Sequence, residues 1–68
     1  MDLTWKRSTG IHTAHFRNGY YAIVHVHGEW IARRIAFEGA STIGVKRTLR
    51  EAKAICGEDY TRRIGGSR

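Results

Sequence analysis

The sequence predicts an α+β fold in which a three- to four-stranded antiparallel β-sheet, connected as a meander, is packed on one face by a single C-terminal α-helix. Residues 20–37 alternate apolar and polar side chains and are interrupted once, at Gly28, which is typical of two antiparallel strands joined by a tight turn. After residue 48 the apolar residues recur at helical spacing instead. At 68 residues the chain fits one small domain, which we place at residues 1–64, followed by a flexible tail at 65–68.

Two shorter segments precede the central hairpin. Residues 3–7 are compatible with a short edge strand, which would end at the turn-type sequence Ser-Thr-Gly of residues 8–10. Residues 11–16 alternate in the same way and predict the first full strand. Asn18 and Gly19 then mark a hairpin turn, because both residue types tolerate the positive φ that such turns demand.

The length of that turn decides which face of the sheet each side chain takes. A two-residue loop at 18–19 places Phe16 opposite Tyr21. A three-residue loop, with Gly19 in the left-handed conformation, places Phe16 opposite Tyr20 instead. We favour the second register because it separates apolar from polar side chains more sharply, whereas a one-residue slip would exchange the two faces. The favoured register collects on one face Ala14, Phe16, Tyr20, Ala22, Val24 and Val26.

The second half of the hairpin continues both faces. A turn at Gly28-Glu29 extends the apolar face through Ile31, Ile35 and Phe37, where Arg33 is a basic exception. We expect this apolar face to form the core, so that the other face stays exposed. The residues that we place on the exposed face are Thr13, His15, Tyr21, Ile23, His25, His27, Trp30, Ala32 and Arg34.

A last strand and the start of the helix follow. A turn at residues 38–39 leads into a strand at residues 41–45, in which Gly44 indicates a bulge or a close backbone approach. Thr48 and Glu51 then form a T-x-x-E capping box, in which each residue satisfies an otherwise unpaired backbone donor. The helix is therefore predicted to begin directly after Thr48.

The helix has one apolar stripe and one weak point. Gly57 weakens the helix by ~1 kcal/mol or ends it early, and the glycines of the tail stop it. The stripe that we expect to pack on the sheet comprises Leu49, Ala52, Ile55 or Cys56, Tyr60 and Ile64.

Charge is the bulk property that bears most on function. The chain has 12 Lys and Arg residues against 6 Asp and Glu residues, a net charge of +6, which favours an acidic partner and nucleic acid above all. A small soluble domain can carry a similar charge without any such partner. The single cysteine, Cys56, excludes an internal disulfide and fits a reducing cytoplasm. No apolar run reaches the ~20 residues that span a bilayer, and the N-terminal residues lack a signal-like apolar segment, so we expect a cytoplasmic protein without a membrane partner.

Metal binding and catalysis are the function classes that the sequence disfavours. His25 and His27 share a strand face, with His15 as a neighbour across the hairpin, yet no cysteine or aspartate stands at a matching spacing. The nearby carboxylate, Glu29, falls in a turn. Paired carboxylates, a Ser/His/Asp order and a glycine-rich phosphate loop are missing from the sequence, and Cys56 lies on the apolar stripe, where a thiol is usually inert. We therefore predict a protein that is not an enzyme and that has no metal site or cofactor.

Arginine interleaved with aromatic residues gives the strongest functional signal. Guanidinium groups pair with phosphates and aromatic rings stack on bases, so this pattern on an exposed sheet favours nucleic acid, with DNA ahead of RNA. Basic residues at the helix start oppose the helix dipole, which also suits an anionic partner. A solvated sheet face without any partner is the alternative interpretation. The predicted nucleic-acid- or partner-binding residues are Tyr21, His25, Trp30 and Arg34 on the sheet, with Lys46, Arg47 and Arg50 on phosphates.

Three short motifs resemble two related groups of DNA-binding domains. They are Asn-Gly-Tyr-Tyr at residues 18–21, Gly-Glu-Trp at residues 28–30 and Thr-Leu-x-x-Ala at residues 48–52. Together they resemble the arm-binding N-terminal domains of tyrosine-type phage integrases and the plant AP2 domains, over residues 16–56. The resemblance implies a three-stranded sheet, packed on one helix, that lays its exposed face in the major groove of DNA.

The chain also resembles short proteins of phages and prophages, with which it shares the pattern Trp…Gly-Tyr-Tyr…Gly-x-Trp…Thr-Leu-x-x-Ala-Lys. Some of these proteins, including anti-CRISPR proteins, inhibit host machinery. This resemblance implies an alternative function, in which a small phage or mobile-element protein binds and inhibits a host protein. An exposed edge strand would in addition allow a homodimer by pairing of edge strands.

Overall fold

The structure, a computed structural model that describes residues 3–65, is a five-stranded antiparallel sheet with one C-terminal helix, and it confirms the predicted α+β class. The strand count exceeds the predicted three to four, because the segment near residue 5 forms a true edge strand in addition to the four that follow. Met1, Asp2 and tail residues 66–68 lie outside the described residues. The elements are β1 (Trp5–Ser8), β2 (Ile11–Phe16), β3 (Gly19–Val26), β4 (Glu29–Ala36), β5 (Gly39–Lys46), α1 (Leu49–Tyr60) and a π-helical turn (Thr61–Gly65).

The sheet is a simple meander, in which each strand pairs with the next one along the chain. Two of its turns have both central residues in the left-handed region: Thr9 and Gly10 have φ of 50° and 78°, and His27 and Gly28 have φ of 52° and 79°. Positive φ at both positions is the mark of the two-residue turn whose twist matches that of the flanking strands. These turns therefore hold consecutive strands in tight register.

Neither predicted pairing of β2 with β3 is correct. Phe16 pairs with Gly19, so the loop consists of Arg17 and Asn18 alone, and Ala14 pairs with Tyr21. Gly19 is thus a strand residue and not a left-handed turn residue. A Cβ atom at this position would collide with the carbonyl oxygen of β4 that lies beside it, so glycine is required here by close approach and not by turn geometry.

The helix covers the opposite face of the sheet from the one that we predicted. Tyr21, Ile23 and Ala32 are fully buried together with Ala52 and Cys56 of α1, although the first three residues were expected to be exposed. The physical reason is that this face carries the larger aromatic side chains, since Phe16, Tyr21 and Trp30 lie in or against the core and give the helix more apolar surface to cover. Ala32 and Gly44 lie side by side on the same face and leave room for the helix to approach the sheet backbone.

Gly44 illustrates this close approach and confirms both predicted interpretations of that glycine. The pairing of β4 with β5 shifts at this point, because Ala32 faces Gly44 while Arg33 faces Thr42, which leaves Ile43 as the extra residue of a bulge. A Cβ atom at Gly44 would clash with the side chain of Ile55. The helix therefore sits directly on the β5 backbone.

The helix begins where the capping box predicts. Thr48 has an extended backbone, and its hydroxyl oxygen accepts a hydrogen bond of 3.1 Å from the backbone N–H of Glu51. Gly57 does not end the helix, which continues to Tyr60. Of the predicted stripe, five residues pack in the core, so Ile55 and Cys56 both contribute; they are Leu49, Ala52, Ile55, Cys56 and Tyr60. The side chain of Ile64, the sixth, lies outside the described part.

Among the helical segments within residues 3–65, none is both long enough and apolar enough to cross a lipid bilayer.

Candidate nucleic-acid interface

Two of the seven predicted binding residues lie under the helix and are not exposed. Tyr21 is fully buried, and only 12% of the Arg34 side chain is exposed. The expectation that both lie on an exposed sheet face is therefore wrong, because α1 packs on the face that carries them. Neither side chain is accessible to a macromolecular partner in this conformation.

Both side chains instead belong to a buried polar network around Asp59. The Tyr21 hydroxyl donates a hydrogen bond of 2.7 Å to Asp59 Oδ2, and Arg63 Nε donates one of 3.1 Å to Oδ1. Arg34 Nε lies 3.6 Å from Oδ2, and within residues 3–65 it has no hydrogen-bond partner. Burial and the hydrogen bond to Asp59 raise the pKa of Tyr21 well above its usual range. This network joins the end of α1 to the centre of the sheet, which is a structural role.

Three other predicted residues meet at the end of the sheet where the helix begins. Trp30, the second residue of β4, pairs with His25 on one side and with Lys46 on the other. The His25 and Trp30 rings are stacked, with centroids 4.0 Å apart and planes only 2° from parallel. His12 of β2 meets the same indole at 5.9 Å and 62°, an edge-on contact. The ring stack and Lys46 thus stand on adjacent strands of one face.

The remaining predicted residues, Arg47 and Arg50, continue this surface along the chain. Arg47 directly follows Lys46, Arg50 is in the first turn of α1, and both side chains are exposed. We call this surface the basic aromatic patch; it consists of His12, His25, Trp30, Lys46, Arg47 and Arg50.

Positive charge from neighbouring elements reaches the patch as well. The pKa of His12 is lowered, first by partial burial and then by the charges of Lys53 on the helix and Arg7 on β1. Lys53 Nζ also lies 5.7 Å from the ring centre of Trp5, within cation–π range. The charges of Lys53 and Arg7 near His12 make the local potential positive, which favours anionic groups.

His12 and Lys53 were absent from the predicted site, although the sequence contains a partial signal for each. Lys53 stands three positions after Arg50, so both lie on neighbouring turns of the helix surface. His12 stands two positions before Ala14 on β2, so the two residues share a face, and Ala14 faces the helix as expected. The error in register at Gly19 placed Trp30 on the other face and so hid the contact between His12 and that ring.

The other face of the sheet is free of any element that the structure describes, and we call it the open face. Alternation of side chains along the strands places valine and isoleucine there, with Arg33 between Ala22 and Thr42. Ile11 and Val26 are each 40% exposed and Val45 is 48% exposed. The apolar members of the open face are Ile11, Tyr20, Ala22, Val24, Val26, Ile31, Ile35, Ala40 and Val45.

Metal-ligating and nucleophilic groups do not assemble into a site in the described part of the chain. No group of three or more His, Cys, Asp or Glu side chains there is arranged to hold a metal ion. Burial, followed by the charge of Asp59, raises the pKa of the Cys56 thiol to about 12. The thiol is therefore protonated at neutral pH, whereas the thiolate is the form that acts as a nucleophile.

Comparisons with protein-family models, curated proteins and solved structures give no match for this chain. The resemblance to integrase arm-binding and AP2 domains therefore depends on the short sequence motifs alone and stays a prediction.

Proposed function

We propose that this chain is a non-catalytic nucleic-acid-binding module, which binds DNA through the basic aromatic patch. The observation that supports this most directly is the parallel stack of His25 on Trp30, beside Lys46 on the next strand. Flat rings next to cations are the combination that single-stranded nucleic acid requires, because bases stack while phosphates pair with the charges. The patch lies at one end of the helix-bearing face, whereas the family resemblance implies binding through the exposed face of the sheet.

The ring stack supplies a platform for a base. His25 is exposed, and one face of its ring rests on the half-buried Trp30. A base that stacks on the outer face of His25 extends this stack by one ring, an interaction of about 1–3 kcal/mol for an aromatic platform. Trp30 pairs with His25 on β3 and with Lys46 on β5, and this backbone pairing on both sides holds the ring platform in place.

The basic residues supply the contacts to phosphate. Lys46, Arg47 and Arg50 follow one another across the junction of β5 and α1, so a nucleic-acid backbone that passes the helix start meets all three. Each phosphate that they neutralise releases counterions, which makes the slope of log K against log salt more negative by about 0.9 on duplex DNA and by about 0.7 on a single strand. The slope of log K against log salt therefore reports how many phosphates these residues neutralise.

The experiment is a fluorescence-anisotropy titration with single-stranded DNA, duplex DNA and RNA at several salt concentrations. Arg47→Ala is expected to weaken binding and to make the salt slope shallower, whereas His25→Ala is expected to weaken binding with little change in slope. Arg17→Ala is the matched control, because it removes the same charge from the turn at the opposite end of the sheet. If Arg17→Ala and Arg47→Ala weaken binding equally, the patch is not the binding site.

A second candidate function, the binding and inhibition of a host protein, is supported by Phe37. This side chain stands in the turn between β4 and β5 and is 96% exposed, and an exposed aromatic residue is the kind of anchor that dominates protein interfaces. Under this function, capture of one host protein from lysate survives nuclease treatment and is lost in Phe37→Ala but not in His25→Ala. Capture that nuclease abolishes would contradict this candidate.

A further inference from the structure

We propose that a cavity at the C-terminal end of α1 binds a small carboxylic acid, whose carboxylate is held by Arg34 and Arg63. The cavity has a volume of about 200 Å³ and lies on the helix-bearing face, beside the turns at residues 17–18 and 37–38. The basic aromatic patch lies at the opposite end of the sheet, so this proposal is independent of the proposed function. The residues that line the cavity are Phe16, Asn18, Arg34, Ala36, Glu38 and Arg63.

The first argument is that two guanidinium groups of the buried network share one carboxylate. Asp59 accepts hydrogen bonds from the Tyr21 hydroxyl on Oδ2 and from Arg63 Nε on Oδ1, at 2.7 and 3.1 Å. Arg34 Nε lies 3.6 Å from Oδ2, is buried and has no hydrogen-bond partner within residues 3–65. A guanidinium group has several N–H donors, so one carboxylate cannot satisfy both arginines. A second carboxylate, bound in the cavity, would balance the remaining positive charge of the network.

The second argument is that the cavity has an apolar wall and room for a short stem. The Phe16 ring packs on the rings of Tyr21 and Tyr60, with centroids 5.1 and 6.0 Å away, which fixes it as a wall. Ala36 adds a methyl group to the lining. Pockets for drug-sized ligands measure ~300–1,000 Å³, and this cavity is smaller. It therefore suits a carboxylate on a short hydrocarbon chain.

The third argument is that the charge at the rim favours an anion with a single negative charge. The backbone N–H of Phe37 donates a hydrogen bond of 3.2 Å to the carbonyl oxygen of Asn18, which ties together the two turns at the rim. Glu38, the next residue, lines the cavity and brings a negative charge towards the ligand. Repulsion from this carboxylate grows with the charge of the ligand, so a monocarboxylate is favoured over phosphate.

Titration with butyrate at pH 7.5, followed by NMR of the alanine methyl groups, tests the proposal. The Ala36 methyl signal is expected to shift saturably at millimolar butyrate, whereas that of Ala22, on the open face, is expected to stay in place. Butyramide, which has the same shape without the charge, is expected to shift neither signal, and inorganic phosphate is expected to bind more weakly than butyrate. An Ala36 signal that butyrate does not move, or that butyramide moves equally, would overturn the proposal. Phosphate binding as tight as that of butyrate would also overturn it.

Two arginine variants test the contacts to the carboxylate. Arg34→Lys keeps the charge and loses the planar fork, so it is expected to weaken butyrate binding by about tenfold. Arg63→Ala is expected to weaken it roughly two- to fivefold, because Arg63 is half exposed. Arg7→Ala is the matched control, since it removes the same charge from β1, away from the cavity. Equal effects of Arg63→Ala and Arg7→Ala would contradict binding in this cavity.

A variant with a gain of binding separates the proposal from any effect of unfolding. Glu38→Gln removes the repulsion at the rim and is expected to strengthen butyrate binding roughly two- to threefold. Glu29→Gln makes the same change of charge at the opposite end of the sheet and is expected to leave the affinity as in the wild type. Loss of folding cannot produce tighter binding, so this pair stays informative even where Arg34→Lys unfolds. An affinity for butyrate that Glu38→Gln leaves unchanged would overturn the placement of the carboxylate beside Glu38.

Discussion

Glycine has opposite effects at different positions of this chain, and the same substitution tests each of them. Gly44 and Gly19 allow close approach of other backbone and side-chain atoms, whereas a Cβ atom at Gly57 meets nothing within 4 Å. Gly57 also lies inside α1, where glycine costs backbone entropy. Its replacement therefore removes a cost without creating a clash.

We predict that Gly57→Ala raises the free energy of unfolding by about 1 kcal/mol, the usual difference between glycine and alanine within a helix. Gly44→Ala is the matched control and is expected to lower it, because the added methyl group clashes with Ile55. Urea denaturation measures both changes, with the same dependence of the unfolding free energy on urea concentration used for each variant. Equal effects of the two substitutions would mean that the helix does not pack on β5 as described.

The pKa of His12 predicts a pH dependence of stability. Because this pKa is lowered by burial and by Lys53 and Arg7, the unfolded chain binds a proton at His12 more readily than the folded chain does. The contribution to stability is fully present above the ordinary value of 6.5. It begins to be lost as the pH falls below that value and is gone once the pH has passed the lowered folded-state pKa.

The measurement compares urea midpoints of the wild type and of His12→Gln at pH 7.5 and at successively lower pH. The wild type is expected to lose more stability on acidification than the variant, since glutamine does not titrate. Parallel pH profiles for the two proteins would show that His12 is not held in a positive, partly buried environment.

At the scale of elements, α1 is fixed to the sheet at both ends by different means. Thr48 caps its first turn, and Asp59 ties its last turn to Tyr21 and Arg34. The first of these contacts is local and the second is long-range. They therefore differ in how much stability is lost when each is removed and in how well the sequence predicts them.

The N-cap at Thr48 is expected to make a modest contribution to the free energy of unfolding. We predict that Thr48→Ala lowers the free energy of unfolding by ~1 kcal/mol, as for other lost N-caps, while Thr48→Ser retains the hydroxyl and most of the stability. Urea melts of the two variants make the comparison. An unchanged midpoint in Thr48→Ala would place the start of the helix elsewhere.

The buried contacts of Asp59 at the end of α1 are expected to contribute more to the free energy of unfolding than the cap does. Asp59→Ala removes the partner of a buried tyrosine hydroxyl and of the buried Arg34, so we predict a loss of roughly 3–5 kcal/mol, the range for one partner removed from a buried ion pair. Arg63 is 53% exposed, and Arg63→Ala serves as the control, with a loss of at most about 1 kcal/mol. Similar losses for both would contradict the burial of the network.

The sequence predicted the elements of this fold better than their faces. Local signals, such as the capping box at Thr48 and the glycine at position 44, predict structure correctly because their cause lies within a few residues. Gly19 is ambiguous, since left-handed turns and close backbone approach both require glycine. The choice of face depends on contacts between distant residues, such as Tyr21 with Asp59, and two apolar faces gave the sequence pattern no means to decide between them.

That error of face also explains the outcome for the predicted site. The residues that depended on strand alternation alone, Tyr21 and Arg34, lie in the core. Those near the helix start, Lys46, Arg47 and Arg50, remain grouped because they are neighbours in sequence. Trp30 and His25 stay accessible only because they lie at the end of the sheet where the helix begins.

At the scale of the whole molecule, the buried core is small and lies on one side of the sheet. A chain of this length buries only about 60% of the surface that its unfolded form exposes. The fully buried side chains of the core cluster belong to α1 and to the sheet face beneath it, whereas Ile11, Val26 and Val45 on the open face are each at least 40% exposed. The stability of the fold therefore depends on the contacts between α1 and the sheet, which is why the loss predicted for Asp59→Ala exceeds that for Thr48→Ala.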